Sequence, residues 1–221
     1  HTYYIDGTPP STISTTNMPY YNNGAEEWVT SNTDITLIAA DGGAYPCGVN
    51  ATYYQYDDAG WQTYIMPFSL PHEGPFRVDY YSDDYLGNTE SINSRQFYVD
   101  NTPPISWHSP KIENKHPEPG SLISLYAKDQ GPWQVDNCTI YYRLSGGTVH
   151  QGDKIRAPME GGYTLEYWAT DALGNEGEHH LISFRVMLEN PLEETLHFEG
   201  LSEWNGTLWE ITTDTLICFD V

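Results

Sequence analysis

The segment Asp34-Ile35-Thr36-Leu37-Ile38-Ala39-Ala40-Asp41 returns as Leu122-Ile123-Ser124-Leu125-Tyr126-Ala127-Lys128-Asp129, matching from Ile35 onward at a spacing of 88 residues. Self-similarity at that period is the mark of a repeated structural unit. Working outward from it, Tyr53-Tyr54 returns as Tyr141-Tyr142, and Gly74-Pro75-Phe76-Arg77-Val78-Asp79-Tyr80-Tyr81 as Gly161-Gly162-Tyr163-Thr164-Leu165-Glu166-Tyr167-Trp168. Asp84-Tyr85-Leu86-Gly87-Asn88 recurs as Asp171-Ala172-Leu173-Gly174-Asn175, and Phe97-Tyr98-Val99 as Phe184-Arg185-Val186, both at a spacing of 87.

Within each copy the apolar residues alternate: Ile35, Leu37 and Ala39, then Val78 and Tyr80, then Phe97 and Val99. A period of two predicts strands with one buried face. In the second copy Ile140, Tyr142 and Leu144 share a face, which places Thr52, Tyr54 and Tyr56 inward in the first and turns Tyr53, Tyr81, Tyr141 and Trp168 outward. Strands of this length, separated by turn residues and with no helical periodicity, predict an all-β sandwich of about seven strands per copy.

Asp100-Asn101-Thr102-Pro103-Pro104 joins the copies, and its double proline stops the preceding strand and stiffens the link. Tyr3-Tyr4-Ile5-Asp6-Gly7-Thr8-Pro9-Pro10 repeats Phe97 to Pro104. Residues 1–10 therefore read as the last strand and connector of a preceding repeat, or as a donated strand. Residues 11–102 and 103–188 read as the two sandwiches. Residues 189–221 form a β-rich segment in which Trp209 to Asp220 loosely echoes Trp28 to Asp41, the start of a third repeat or a strand-exchange element.

A strand ending in Ala-x-Asp (Ala39 to Asp41), a paired-tyrosine strand (Tyr53 to Tyr56), a Tyr-x-x-x-Asp-x-x-Gly-Asn strand and turn (Tyr80 to Asn88) and a Val-Asp-x-Thr-Pro-Pro connector (Val99 to Pro104) follow in order. Over about residues 11–188 the chain resembles the immunoglobulin-like tandem repeats of prokaryotic, particularly archaeal, secreted and cell-surface proteins. The second copy departs from that pattern after Val186, where Met187-Leu188-Glu189-Asn190-Pro191 stands in place of the connector. The resemblance implies tandem antiparallel immunoglobulin-like sandwiches in an extracellular scaffold, stalk or adhesive module. It brings no catalytic residues.

Acidic residues outnumber basic ones 31 to 9 in 221 residues, for a formal net charge of −22. Nucleic acid is disfavoured as a partner, because binding phosphate needs Lys and Arg. An anionic membrane surface is disfavoured for the same reason, whereas divalent cations and basic partners are compatible. No stretch approaches the roughly 20 apolar residues of a transmembrane helix. The chain opens on His1-Thr2, with neither an initiator Met nor a signal peptide, and reads as a processed product or an excised fragment. Cys47, Cys138 and Cys218 are widely spaced and form no C-x-x-C pair. A buried small hydrophobe is the simplest reading of each, an intermolecular disulfide the alternative.

No catalytic motif is present: neither Gly-x-Ser-x-Gly nor His-Glu-x-x-His nor a phosphate-cradling glycine loop occurs. His179-His180 is a poor metal pair, since adjacent strand residues point to opposite faces. The two Asp-x-x-Gly-Asn stretches are read first as hairpin turns, Gly supplying the positive backbone dihedral and the Asp and Asn side chains capping nearby amides. A calcium site on the same residues, Asp84, Asn88, Asp171 and Asn175, is the alternative, although the spacing is not that of a dedicated calcium loop. Tyr53, Tyr81, Tyr141 and Trp168 are candidates for a platform facing glycan or a neighbouring subunit, set against cross-strand pairs that stabilise the sheet. Asn50, Asn137 and Asn205 begin Asn-x-Ser/Thr sequons and are candidate glycan acceptors.

These readings favour a non-catalytic structural protein, a rod-like scaffold or stalk of a surface layer, adhesin or filament. Its expected partners are other copies of itself or other surface proteins. An unpaired strand at residues 1–10 would allow head-to-tail polymerisation by strand donation. The alternative is an accessory carbohydrate- or cell-wall-binding module of a larger secreted enzyme, and no cofactor is implied beyond the calcium alternative.

Overall fold

The computed structural model describes residues 1–113 and 116–188, and the backbone of four short strands between 196 and 219. All regular structure among these residues is strand, as the period-two alternation predicts. The first copy contains β1 (Ser11–Thr16), β2 (Tyr20–Asn22), β3 (Glu27–Val29), β4 (Ile35–Ala40), β5 (Val49–Tyr56), β6 (Gln62–Thr63), β7 (Gly74–Asp84) and β8 (Asn93–Val99). The second contains β9 (Ile105–Ser109), β10 (Leu122–Lys128), β11 (Thr139–Leu144), β12 (His150–Gln151), β13 (Lys154–Arg156), β14 (Gly161–Thr170) and β15 (His180–Val186). Two nested antiparallel pairs follow: β16 (Leu196–Glu199) with β19 (Leu216–Phe219), enclosing β17 (Ser202–Trp204) with β18 (Trp209–Ile211).

The second copy has the seven strands expected, a three-stranded sheet β13-β10-β9 and a four-stranded sheet β12-β11-β14-β15. That is the two-sheet antiparallel arrangement of an immunoglobulin-like sandwich. The first copy sets β1-β4 beside a six-stranded sheet, β2-β3-β8-β7-β5-β6. Its eighth strand comes from the hairpin β2-β3, whose β3 runs parallel to β8 with Trp28 opposite Tyr98. Strands of three residues are too short to carry a period, so the alternation could not reveal them.

Each sandwich closes a core of its own. Ile35, Leu37, Leu70, Phe76, Val78, Phe97 and Val99 are buried together in the first copy, with Tyr54 and Tyr56 packed against them. Ile123, Leu125, Leu165, Tyr167, Ile182, Phe184 and Val186 are buried together in the second, with Ile140, Tyr142 and Leu144 against them. Burying one such side chain stabilises the fold by about 1.5–3 kcal/mol. Of the positions assigned inward from the alternation, Ile35, Leu37, Val78, Tyr80, Phe97 and Val99 are buried, whereas Ala39, Thr52, Tyr54, Tyr56, Ile140, Tyr142 and Leu144 are half-buried; of those assigned outward, Trp168 is buried.

A third cluster lies between the copies. Trp28, Tyr21 and Tyr98 of the first pack with Val135, Leu173, Trp133 and Ala172 of the second. Trp28 stacks on Tyr98 at a centroid distance of 5.0 Å, and Tyr98 meets Trp133 at 5.9 Å.

Leu165 has no exposed surface. Leu165→Ala removes its packing and leaves a cavity, so it should cost about 2–5 kcal/mol in urea unfolding of the second sandwich. A loss below about 1 kcal/mol would place Leu165 outside a close-packed core.

Candidate functional site

The residues with the most unusual surroundings are aspartates at the two junctions where the chain passes into a sandwich. One group is Asp6, Asp41 and Asp84 with Cys47, and the other is Asp100, Asp129 and Asp171; in each, one ligand atom per residue lies within 4.8 Å of all the others. The members correspond from copy to copy. Asp6 and Asp100 come from the connectors, Asp41 and Asp129 close the Ala-x-Asp strands β4 and β10, and Asp84 and Asp171 open the Asp-x-x-Gly-Asn turns.

The local chain explains the convergence. In the second turn, Asp171 Oδ1 accepts from the amides of Leu173 and Asn175, its Oδ2 from Asn175 Nδ2, and Gly174 takes φ +86°. The first turn repeats this, with Asp84 accepting from Leu86, Asn88 and Asn88 Nδ2 around Gly87, also at φ +86°. Both stretches are therefore the expected turns. The same asparagines reach the connectors: Asn88 Nδ2 donates to the Asp6 carbonyl at 3.3 Å, and Asn175 Nδ2 to the Asp100 carbonyl at 3.2 Å.

Each connector aspartate is then pinned by two amides. Thr8 and Cys47 donate to Asp6 at 3.0 and 2.8 Å, and Thr102 and Val135 donate to Asp100 at 3.0 Å each. The Val135 amide is shared with Asp129 Oδ2 at 2.9 Å, so one donor serves two carboxylates. Asp41 Oδ2 accepts from Gly48, while its Oδ1 is sealed from solvent and has no hydrogen-bond partner.

Asp100, Asp129 and Asp171 are 0, 1 and 5% exposed. Burial pushes the Asp100 carboxyl up to about 7; the Thr102 and Val135 amides oppose the rise and the neighbouring Asp129 and Asp171 charges reinforce it. Burial likewise raises Asp129, with Asp171 adding to the effect. At the first junction the Thr8 and Cys47 amides hold Asp6 below the usual carboxylate range. Burial of Asp84 acts against ionisation, but the Asn88 side chain and the Asn88 and Leu86 amides outweigh it, and Asp84 is lowered too.

Of the four residues expected as calcium ligands, Asp84 and Asp171 belong to these clusters. Asn88 and Asn175 stand beside them, with their amide nitrogens committed to the turns and connectors. Asp6, Asp41, Asp100 and Asp129 were missed, although each falls at an equivalent place in both copies, a signal the repeat itself carried.

The outward aromatics form cross-strand pairs rather than an open platform. Tyr53 stacks on Tyr81 at 5.0 Å with Trp61 edge-on to Tyr81, and Tyr141 stacks on Trp168 at 5.7 Å. Trp168 is corrected as a contact residue, because the His179 ring covers its other face at 4.1 Å and 11°, leaving 8% exposed. His180 stacks on Tyr167 instead, so the histidine pair is split between the two faces of the sheet. Among the sequons Asn50 and Asn137 are exposed, and Asn205 lies outside the described residues. Cys47 and Cys138 are free and half-buried, not the fully buried hydrophobes expected, and the side chain of Cys218 lies outside the described residues. Burial pushes the Cys138 thiol up to about 11, with the Asp129, Asp171 and Asp136 charges adding to it.

The protonated His179 ring donates from Nδ1 to Glu166 at 2.9 Å and from Nε2 to Glu176 at 3.1 Å, and the Glu166 contact chiefly raises its pKa. A raised base stabilises the fold below its ordinary value of about 6.5, and that contribution is lost as pH rises through the folded value. An NMR titration should place the His179 midpoint above that ordinary value, and Glu166→Gln should lower it. A midpoint at or below the ordinary value in the unsubstituted protein would contradict the contact.

No family model and no curated protein matches the chain. Among solved structures it is similar to the fibronectin(III)-like modules of Clostridium thermocellum CbhA, at 13% identity and a TM-score of 0.44, over 79% of this chain and 94% of that one. It is similar to the D00-D0 domain of Intimin at 12% identity and a TM-score of 0.30, over 79% and 100%. The FN1-FN3 domains of chicken CNTN1 align at 13% identity and a TM-score of 0.37, over 72% and 64%. With these low scores, the fold assignment rests on the strand order and registers of the chain itself.

Proposed function

We propose that this chain is a non-catalytic structural segment of an extracellular or cell-surface protein, in which residues 11–102 and 103–188 are successive immunoglobulin-like domains serving as a spacer. The observation that carries this reading is that the link between the sandwiches is pinned rather than free. Asp100 is held by Val135 and Asn175 of the second copy. Asn101 and Thr102 both donate to Glu73 of the first copy, at 2.9 and 2.6 Å, and Ser31 donates to Asn101. Around these bonds sits the Trp28, Tyr98 and Trp133 cluster, so that reorienting one sandwich would expose aromatic surface and orphan buried carboxylates. A spacer needs that resistance; a flexible tether does not.

Residues 1–10 support assembly with a further unit. Asp6 docks on the first sandwich as Asp100 docks on the second, while Tyr3 and Ile5 are 84 and 82% exposed and residues 1–10 form no strand. Paired into the sheet of another copy, Tyr3-Tyr4-Ile5 would occupy the place that Phe97-Tyr98-Val99 holds in β8. The formal net charge of −22 would keep such an assembly soluble and repel nucleic acid. Among the described residues, no helix is long and apolar enough to cross a membrane.

Small-angle scattering tests the spacer. One fixed arrangement of the two sandwiches should fit the curve, and the double variant Trp28→Ala, Trp133→Ala should require a spread of arrangements. A spread already needed for the unsubstituted chain would sink the reading.

A further inference from the structure

We propose that the outer face of the β13-β10-β9 sheet, in the second sandwich, binds an acidic polysaccharide, a chain of carboxylated or sulfated sugars. Trp107 and Tyr126 would pack on the sugar rings, and Lys128, Lys154 and Arg156 would meet the anions. These three strands bury every second residue, Ile123, Leu125 and Ile155 among them, and turn the alternate ones outward. Of the nine residues so turned, three are Lys or Arg and none is acidic, in a chain where acids outnumber bases 31 to 9.

The register sets their order. Tyr126 lies opposite Trp107, with Lys128 one row to one side and Lys154 and Arg156 on the next two rows to the other. An aromatic pair thus sits between cations along about 20 Å of β10, room for several sugar rings. The two rings are parallel to within 14°, with centroids 5.6 Å apart, and remain 44 and 43% exposed. Open ring surface of this kind packs against the C–H faces of sugars. Among the described residues the Lys and Arg ion pairs belong to Arg77, Arg95 and Arg143, so the three cations of this face have no carboxylate partner. Arg156 gives one donor to the Gly120 carbonyl, at 3.1 Å, and keeps its others.

The fold does not require these residues. On the equivalent β1-β4 sheet of the first sandwich, Ile13 faces Ile38 where Trp107 faces Tyr126, and Ala40 stands where Lys128 does. Size argues against a second copy of the chain as the occupant. Three strands of five, seven and three residues present roughly 300 Å², against about 800 Å² per partner in a stable protein pair. The negative charge elsewhere on the chain is screened beyond about 8–10 Å at physiological salt, so the local charge of the face decides which polymer it meets. The site stands whether or not the pinned link makes the chain a spacer.

Isothermal titration of the full chain with polygalacturonate, dextran sulfate and neutral dextran tests it. One or both acidic polymers should bind, the tighter of them showing whether carboxylate or sulfate is the anion, and neutral dextran should not. Binding should weaken about fivefold or more between roughly 50 and 200 mM salt. Trp107→Ala, and separately the pair Lys128→Ala with Lys154→Ala, should each lower affinity at least about fivefold. Arg185→Ala, an exposed cation on β15 of the other sheet, should leave it unchanged. All four side chains are exposed, so an unaltered melting temperature in each variant reports an intact fold. The proposal is overturned by failure of both acidic polymers to bind, by equal binding of neutral dextran, or by affinity unchanged in the Trp107 and Lys variants. Tighter binding of single-stranded DNA than of either polymer also overturns it. So does a dimer in equilibrium sedimentation that Trp107→Ala disperses, which would assign the face to a second copy.

Discussion

The fold hangs on a buried carboxylate at each point where the chain passes into a sandwich. Asp100 has no exposed surface, yet it accepts from Thr102 behind it and from Val135 across the junction, while its own carbonyl accepts from Asn175. One residue thereby ties connector, loop and turn together. Because a buried carboxylate that loses a donor bears the full desolvation penalty, the arrangement tolerates little drift. Asp6 repeats it at the first sandwich with Thr8, Cys47 and Asn88.

The aromatic residues do a different job from the one their outward orientation suggests. Tyr53 with Tyr81, and Tyr141 with Trp168, sit directly opposite each other in register on neighbouring strands. Stacked there, they stiffen the sheet through cross-strand contact and leave little ring face for a ligand. The cations serve the sheets as well. Arg77 bridges Asp79 and Asp58, Arg95 holds Glu27 while lying over the Phe97 ring, and Arg143 meets Glu166. With these arginines engaged on the sheet surfaces, the junction aspartates are left to hydrogen bonds.

The repeat and its alternation determined much by themselves. Ile35 and Leu37 against Ile123 and Leu125, and Val78 and Tyr80 against Leu165 and Tyr167, mark inward faces because a strand can bury only every second residue. Gly87 and Gly174 mark turns because a positive φ penalises any other residue. Those local rules act within a few residues, so the order of letters states them directly, and the sandwich class, the turns and the split histidine pair were legible for that reason.

Tertiary structure decided what depends on distance across the chain. The hairpin of β2 and β3 is too short to show a period and exists because Trp28 finds Tyr98. The candidate site joins Asp100, Asp129 and Asp171, separated by 29 and 42 residues in sequence, and Asn175 ties it to the connector through the Asp100 carbonyl. Whether an outward Trp168 stays open or is roofed by His179 turns on one side-chain stack. Each of these is settled by which surfaces meet when two sheets close and two sandwiches abut, and a linear pattern of apolar and polar residues holds no record of that.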